Sequence, residues 1–292
     1  MNAGNESAMG VIDYWCNGFT PEYRALWDAA IDEQDLSIKI RRNEDDSFAD
    51  PADMLLRMDH LDVETLLLPV AEVPEGAARY AYEHYATRLD AASKLASNHP
   101  GRFAGLFSLD PSEGRRGVAS AEEALAQPGI VGLQIHTHSW DRAFDHRDYY
   151  PYYMLAAEHD VPVVMQAGAS GGPMPSACGQ PIGIDRPAIY FDRVRFVLSH
   201  TGWPWTEEAI AMTQKHPNVF LGTAAWPPHR WPDSLRRFSK EAGKGKVMFG
   251  TSFPTVGHRH ALSRLDDVGL DADARFQLLE GCARRVFSRL AG

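Results

Sequence analysis

The sequence predicts a (β/α)8 barrel, an α/β fold, with residues 1–292 forming one domain. Three observations carry this. Eight short apolar runs recur along the chain, with amphipathic stretches between them and no linker. The runs are nearly continuous in Val, Leu, Ile and Phe, as strands buried on both faces are. The length of 292 residues, 44% hydrophobic and 23% charged, suits one large barrel. The alternative is an open doubly wound sheet, and no Gly-x-Gly-x-x-Gly follows any run to support it.

The first run, "VIDYWCN" at 11–17, opens the barrel and breaks off abruptly. In the segment that follows, 18–50, "PEYRALWDAAIDEQ" has helical character and "RRNEDDSFADP" is a charged loop. Long loops of barrels sit mainly on the catalytic face, so 18–50 is expected to be an insertion or lid. Residues 1–9 read as a flexible N-terminus. A helix at 52–60 leads into the second strand, 64–70. A long helix is expected over 75–98, stopped by Pro100 and Gly101. Strands at 102–108, 130–137, 161–167, 193–200, 217–223 and 246–252 then alternate with helices at 119–126, 149–160, 205–216, 234–242 and 258–266. A last helix, 271–289, takes Asp271 as its cap.

Composition narrows the partners. The net charge of −10 repels phosphate backbones, so neither nucleic acid nor a membrane surface is an expected partner. No apolar run approaches the roughly 20 residues of a membrane span. Cys16, Cys178 and Cys282 are too few and too scattered for a disulfide frame, which fits a reducing cytoplasm. "MNAGNESAMG" has neither the basic nor the apolar region of a signal peptide.

In a barrel the C-terminal ends of the strands converge on one site, and period-two alternation selects the inward residues. These are Trp15, Asn17, Ser108, Asp110, His136, His138, Gln166, His200, Thr223 and Ser252. Trp140, Trp203, Trp205 and Trp226 flank the strand ends; Trp15 and Trp231 bring the total to six of the seven tryptophans. Indole walls suit a planar or apolar ligand, although any one Trp could simply fill a gap between barrel and helices. In "IHTHSWD", His136 and His138 stand two apart and could chelate a metal with Asp141; more plainly, His136 lines the pocket and His138 is a loop residue. In "GHRH", His258 and His260 read as helix-start residues rather than ligands. Asp13 reads as a structural acceptor for nearby backbone. Arg41, Arg42, Arg186 and Arg193 are the candidate holders of a carboxylate.

From about residue 10 to 290 the chain resembles the amidohydrolase-related group that includes aminocarboxymuconate semialdehyde decarboxylase and resorcylate-type decarboxylases. The resemblance rests on the order and spacing of "MDHLDVETLLLP", "LASNHPGRFAGLFSLDP", "FVLSHTGWPWTEEAI", "HPNVFLGTAA" and "KVMFGTSFP". It implies a divalent metal held by two His after the first strand, one His from the fifth and one Asp from the eighth, with a further His on the sixth as general acid/base. At the four ligand positions this chain has Trp15, Asn17, Gln166 and Ser252. The sixth-strand position keeps its histidine, His200. An indole offers a metal no ring-plane lone pair, and neutral amides and a hydroxyl are weak ligands. No metal and no cofactor are therefore expected.

Two function classes remain. One is a metal-independent hydrolase or decarboxylase (lyase) acting on a small aromatic or unsaturated cyclic carboxylate. There His200 is the general acid/base with a pKa near neutrality, His136 assists, and Ser252 or Gln166 orients it. Trp15, Asn17, Gln166, His138, Trp203, Trp205 and Trp226 would contact the substrate. Ser252 as nucleophile is a weaker idea, because "GTSFP" is no strand-to-helix nucleophile elbow. The other class is an inactive paralogue serving as a ligand-binding or partner subunit. Besides a small-molecule substrate, the resemblance implies a dimer, with itself or with a related barrel.

Overall fold

The computed structural model describes residues 10–34, 47–71 and 86–290. The first half of the chain holds β1 (Val11–Asp13), α1 (Pro21–Gln34), α2 (Pro51–His60), β2 (Val63–Ala71), β3 (Thr87–Arg88), α3 (Leu89–Asn98), β4 (Phe103–Ser108), α4 (Arg115–Leu125), β5 (Ile130–Ile135) and α5 (Thr137–Trp140). The second half holds α6 (Tyr150–Glu158), β6 (Val163–Gln166), α7 (Asp185–Tyr190), β7 (Phe196–Ser199), α8 (Thr206–Lys215), β8 (Val219–Gly222), α9 (Asp233–Lys240), β9 (Val247–Met248), α10 (His258–Ser263), α11 (Ala272–Phe276) and α12 (Cys282–Val286). The strands run parallel in the order β1-β2-β4-β5-β6-β7-β8-β9, with β3 added to β2.

The two ends of this sheet meet. Tyr14 N–H donates to Phe249 O (3.2 Å), Ser252 N–H to Trp15 O (2.7 Å) and Asn17 N–H to Phe253 O (3.1 Å), and Cys16 and Phe253 form a parallel bridge. The barrel therefore closes through residues that follow β1 and β9 rather than through the strands themselves. Apart from Glu64 in β2 and Arg88 in β3, the strand residues are buried on both faces of the sheet, which is why these runs lack polar alternation. Leu67, Leu106, Val131, Val164, Val197, Phe220 and Met248 fill the interior, joined by Cys282, Ala283, Val286 and Phe287 of the last helix. A second apolar layer packs the outward strand residues against the helices.

The eight expected strands are all present, shorter than expected except β2, which runs from Val63 to Ala71. Three expectations change. The helix expected over 75–98 is a helix only from Leu89; Thr87 and Arg88 pair instead with Val70 and Ala71 of β2, and the earlier part lies outside the described residues. The last helix does start on an Asp271 cap, whose carboxylate accepts from Ala274 N–H at 2.7 Å, but it widens to a π-turn at Gln277–Gly281 and ends at Val286. The eighth barrel strand stops at Met248, because Thr251 and Ser252 are tied to Asp13 and Trp15 across the seam. Of the expected lid, α1 is formed, while 35–46 lie outside the described residues, as do 1–9.

Candidate active site

Strand β1 ends at Asp13, and from there the backbone no longer alternates. Tyr14 and Trp15, neighbours in sequence, both join the barrel interior and are fully buried. Asp13 Oδ1 accepts from Trp15 N–H and Thr251 N–H, each at 3.0 Å, and Oδ2 accepts the Thr251 hydroxyl at 2.5 Å. His258 Nε2 lies 3.1 Å from Oδ2, off the axis of a hydrogen bond, with its ring stacked on Phe253. Asp13 and His258 thus fix the seam between β1 and the residues after β9.

Trp15 Nε1–H donates to Asn17 Oδ1 at 2.9 Å. Asn17 Nδ2 donates to Phe253 O at 2.7 Å and lies 3.4 Å from both oxygens of Ser252. Three of the four positions where the resemblance implies ligands are therefore bonded to one another. The carbonyl oxygen of Asn17 is already engaged by the indole, and the indole has no lone pair to offer. Such a set cannot replace the hydration shell of a dication. Among the described residues, no group of three or more His, Cys, Asp or Glu side chains is arranged to hold a metal ion.

Gln166, the fourth position, is buried at the end of β6 and bears on the nearby His136. His136 caps α5: its Nδ1 accepts from Ser139 N–H at 3.3 Å and meets the Ser139 hydroxyl at 2.8 Å. Burial and the nearby His138 and His200 hold its pKa well below the usual histidine range. His138 sits on α5 rather than on a strand end. Its Nδ1 lies 2.9 Å from Pro175 O and 3.4 Å from Cys178 Sγ. Its Nε2 is buried, with no hydrogen-bond partner among the described residues. Burial lowers its pKa as well.

His200 follows β7 in a left-handed conformation, φ 61°, and Thr201 repeats it at φ 57°. Two successive non-glycine residues there cost roughly 1–2 kcal/mol each, so the surrounding contacts must hold the turn. The turn presents Ser199 and His200 to the same side. His200 Nδ1 is 2.7 Å from Ser199 Oγ, and Ser199 Oγ is 2.6 Å from Tyr14 OH. The edge of Trp15 meets the His200 ring at a centroid distance of 4.9 Å and an interplanar angle of 88°. Burial, then the field of His138, pushes the pKa of His200 down to about 3, although part of the ring stays exposed. This stands below the near-neutral pKa expected from sequence, because burial disfavours the imidazolium.

The other candidates separate. Trp203 is 48% exposed and its ring tilts onto Trp226 at 5.1 Å, while Trp205, partly buried, starts α8. Trp231 is a core residue whose Nε1–H donates to Trp226 O at 2.7 Å. Ser108 donates to the buried Gln134 Oε1, whereas Asp110 caps the turn at 111–113 through Ser112 N–H, 2.7 Å away, and does not join the site. Thr223 bonds Met248 O and Gly250 N–H. Asp141 is exposed beyond α5, and His260 packs against His229. Arg186 and Arg193 are exposed, Arg193 at the start rather than the end of β7, so neither fits as carboxylate holder. Arg41 and Arg42 lie outside the described residues.

Sequence reasoning missed Tyr14 and Ser199. Alternation places one of each adjacent pair inward; here the strand stops at Asp13, and the left-handed turn at His200 breaks the period, so both members face in. The nearest sequence signal was a Tyr inside an apolar run, since a buried phenol needs a partner.

Known proteins supply a frame for this geometry. A 2-keto-4-carboxy-3-hexenedioate hydratase from Sphingobium sp. is 24% identical over 240 residues, 68% of this chain and 69% of that protein. An uncharacterised TIM-barrel protein from Bordetella bronchiseptica superposes with a TM-score of 0.72 at 19% identity, covering 96% of this chain and 99% of that one. A 2,6-dihydroxybenzoate decarboxylase from Rhizobium superposes with a TM-score of 0.65 at 16% identity over the same shares. At these identities the superpositions speak to the barrel fold alone. The model of the family described as amidohydrolase matches residues 12–289, nearly the whole barrel, and the chain belongs to that family.

Proposed function

We propose that this chain is an enzyme of the lyase or hydrolase kind that works without a metal on a small aromatic or unsaturated cyclic carboxylate, with His200 at the reacting atoms. The observation that carries this reading is the state of His200. Its Nδ1 is anchored, its ring meets that of Trp15 at right angles, and the residue is only partly buried, in a turn that costs backbone strain. The sequence similarity to a 2-keto-4-carboxy-3-hexenedioate hydratase supports an unsaturated carboxylate as the substrate class. A neutral imidazole at working pH suits hydrogen-bond donation to a developing oxyanion and proton transfer under buried conditions.

The second reading, an inactive ligand-binding or partner subunit, draws on one observation: Trp15, Asn17 and Ser252 bond one another and so spend polarity a substrate could have used. The two are separated by assaying chelator-treated protein against a panel of hydroxybenzoates and unsaturated di- and tricarboxylates, following loss of CO2 and change in conjugation. Turnover that survives chelation and is lost in His200→Asn supports the enzyme. Binding of the same acids, seen by thermal shift, without turnover supports the second reading.

A further inference from the structure

We infer that Tyr14 and Ser199 are positioning residues for His200: a hydrogen-bonded chain from the barrel centre holds the imidazole by Nδ1 and leaves Nε2 as its working nitrogen. This deepens the enzyme reading above and rests on it for the place of His200 at the reacting atoms.

The chain has two links. Ser199 Oγ lies 2.7 Å from His200 Nδ1 and 2.6 Å from Tyr14 Oη. Tyr14 Oη also accepts the backbone N–H of Ala224 at 3.3 Å. Tyr14 and Ser199 are both fully buried. The chain thus ties together the residue after β1, the end of β7 and the residues after β8, three places far apart in sequence. A serine hydroxyl gives one hydrogen and can accept others, so Ser199 joins the phenol to the imidazole whichever way the hydrogens point. Among the described residues no other hydrogen bond holds the His200 ring.

The barrel is shaped around the phenol. A Cβ on Gly222, the last residue of β8, would collide with Tyr14 Oη, and one on Gly250 would collide with Cε1 of the same ring. Neither glycine has a positive φ, so neither is needed for its backbone conformation. Their missing side chains make room for Tyr14. A phenylalanine would fill the same space among Leu67, Val197 and Met248 without burying a hydroxyl. The hydroxyl is therefore there for its partners. Burial raises its pKa, so it stays a neutral group that can both donate and accept.

The link at Nδ1 decides which way the imidazole faces. Rotating the ring by half a turn about its bond to Cβ would put carbon Cδ2 at Ser199 and Cε1 where Nε2 now stands. The right-angled contact with Trp15 is unchanged by that rotation, whereas the bond to Ser199 is lost. The left-handed backbone at His200 and Thr201 brings Ser199 and the imidazole to one side and so makes the link possible. A group that transfers a proton must stand within hydrogen-bond reach of it. Ring orientation therefore bears on the chemical step and not on the binding of substrate.

Nitrogen NMR of the full-length protein with isotope-labelled histidine tests the chain without a substrate, with the His200 signals assigned through His200→Asn. Ser199→Ala should move the Nδ1 signal of His200. Tyr14→Phe should move it too, although the Tyr14 hydroxyl is not bonded to that ring. His60, His99 and His159, at helix ends that lead into strands, should keep their signals in both variants. An Nδ1 signal unchanged in Tyr14→Phe, or one that moves only together with those remote histidines, overturns the inference. Where turnover is found, each variant should lower kcat roughly 10–100-fold with KM nearly unchanged. In a His200→Asn background neither should lower the residual rate further. The same loss in that background would show action on the fold or on substrate rather than through His200, and overturns the positioning role. Absence of turnover with every acid, given the expected Nδ1 response, counts against the enzyme reading and leaves the chain standing.

Discussion

The seam between β1 and β9 and the opposite side of the barrel mouth, where β5 and β7 end, treat their polar groups differently. At the seam the polar groups of Trp15, Asn17 and Asp13 meet protein partners, and the one buried nitrogen without a hydrogen bond there among the described residues, His258 Nε2, stands 3.1 Å from the Asp13 carboxylate. Across the mouth, His138 keeps a buried nitrogen with no described partner, and His200 is anchored at Nδ1 alone. A saturated hydrogen-bond network stabilises a fold; a network with free valence costs stability and is kept where a ligand completes it. The seam therefore looks after structure, and under the proposed function the chemistry falls to the histidines.

The sharpest way to break that comparison is His200→Asn. The fold should persist, since the ring stands partly exposed at the site edge. Turnover should fall roughly 10²–10⁴-fold, the usual worth of one acid–base group. Steady-state rates beside a circular dichroism melt check both halves, and an active His200→Asn protein would end the distinction between the two regions.

The seam should respond in the opposite currency. Asn17→Ala removes the Oδ1 acceptor of the Trp15 indole N–H and one of the two donors to Phe253 O, whose backbone bond to residue 17 stays, and should cost about 1–3 kcal/mol. Urea denaturation midpoints, with the m-value unchanged, measure this. A loss under about 0.5 kcal/mol would mean the network is not the brace it looks to be.

The barrel was legible because strands buried on both faces spell themselves out as apolar runs, and the helices between them carry ordinary stop signals. The site was legible only in part. Trp15, Asn17, Gln166, His200 and Ser252 came from strand-end alternation, and the resemblance gave them their positions in the site; that Trp15, Asn17 and Ser252 bond one another was not legible. Tyr14 was hidden because β1 stops at Asp13, and Ser199 because β7 ends in a left-handed turn that no residue type at His200 or Thr201 announces. The setting of His138 was hidden for another reason. Its partner Pro175 is 37 residues away, and a backbone carbonyl leaves no trace in sequence.

A smaller effect lies in the pH dependence of stability. The pKa of His200 falls from 6.5 to about 3 on folding, and His136 and His138 shift the same way. The unfolded chain thus takes up protons first as pH falls, and the folded state loses stability progressively from about pH 6.5 downward. Denaturation midpoints should drop between about pH 7.5 and pH 5, and the drop should be shallower in His200→Asn. The rate profile of an active enzyme should correspondingly show no histidine limb near 6.5, because His200 stays neutral there. A limb that disappears with His200→Asn would place its pKa near neutrality after all.

The smallest expected effect is the response to chelation, and it bears directly on what the seam has become. A metal that binds the folded chain alone adds about 2.7 kcal/mol of stability at a hundredfold excess over its Kd. Removing such an ion would lower the melting temperature by several degrees in a protein of this size. Here the indole of Trp15 has nothing to donate to a cation, Asn17 Oδ1 is occupied by the indole N–H, and Gln166 beside His136 is a neutral amide. Melting curves with and without a strong chelator should therefore overlay, and elemental analysis should find no stoichiometric transition metal. If a chelator does lower the melting point, the location of the ion is read from two variants. An effect abolished by His138→Gln would put it among the histidines. An effect abolished by Asn17→Ala would put it back at the seam, and the contrast between the two regions would then be wrong at its root.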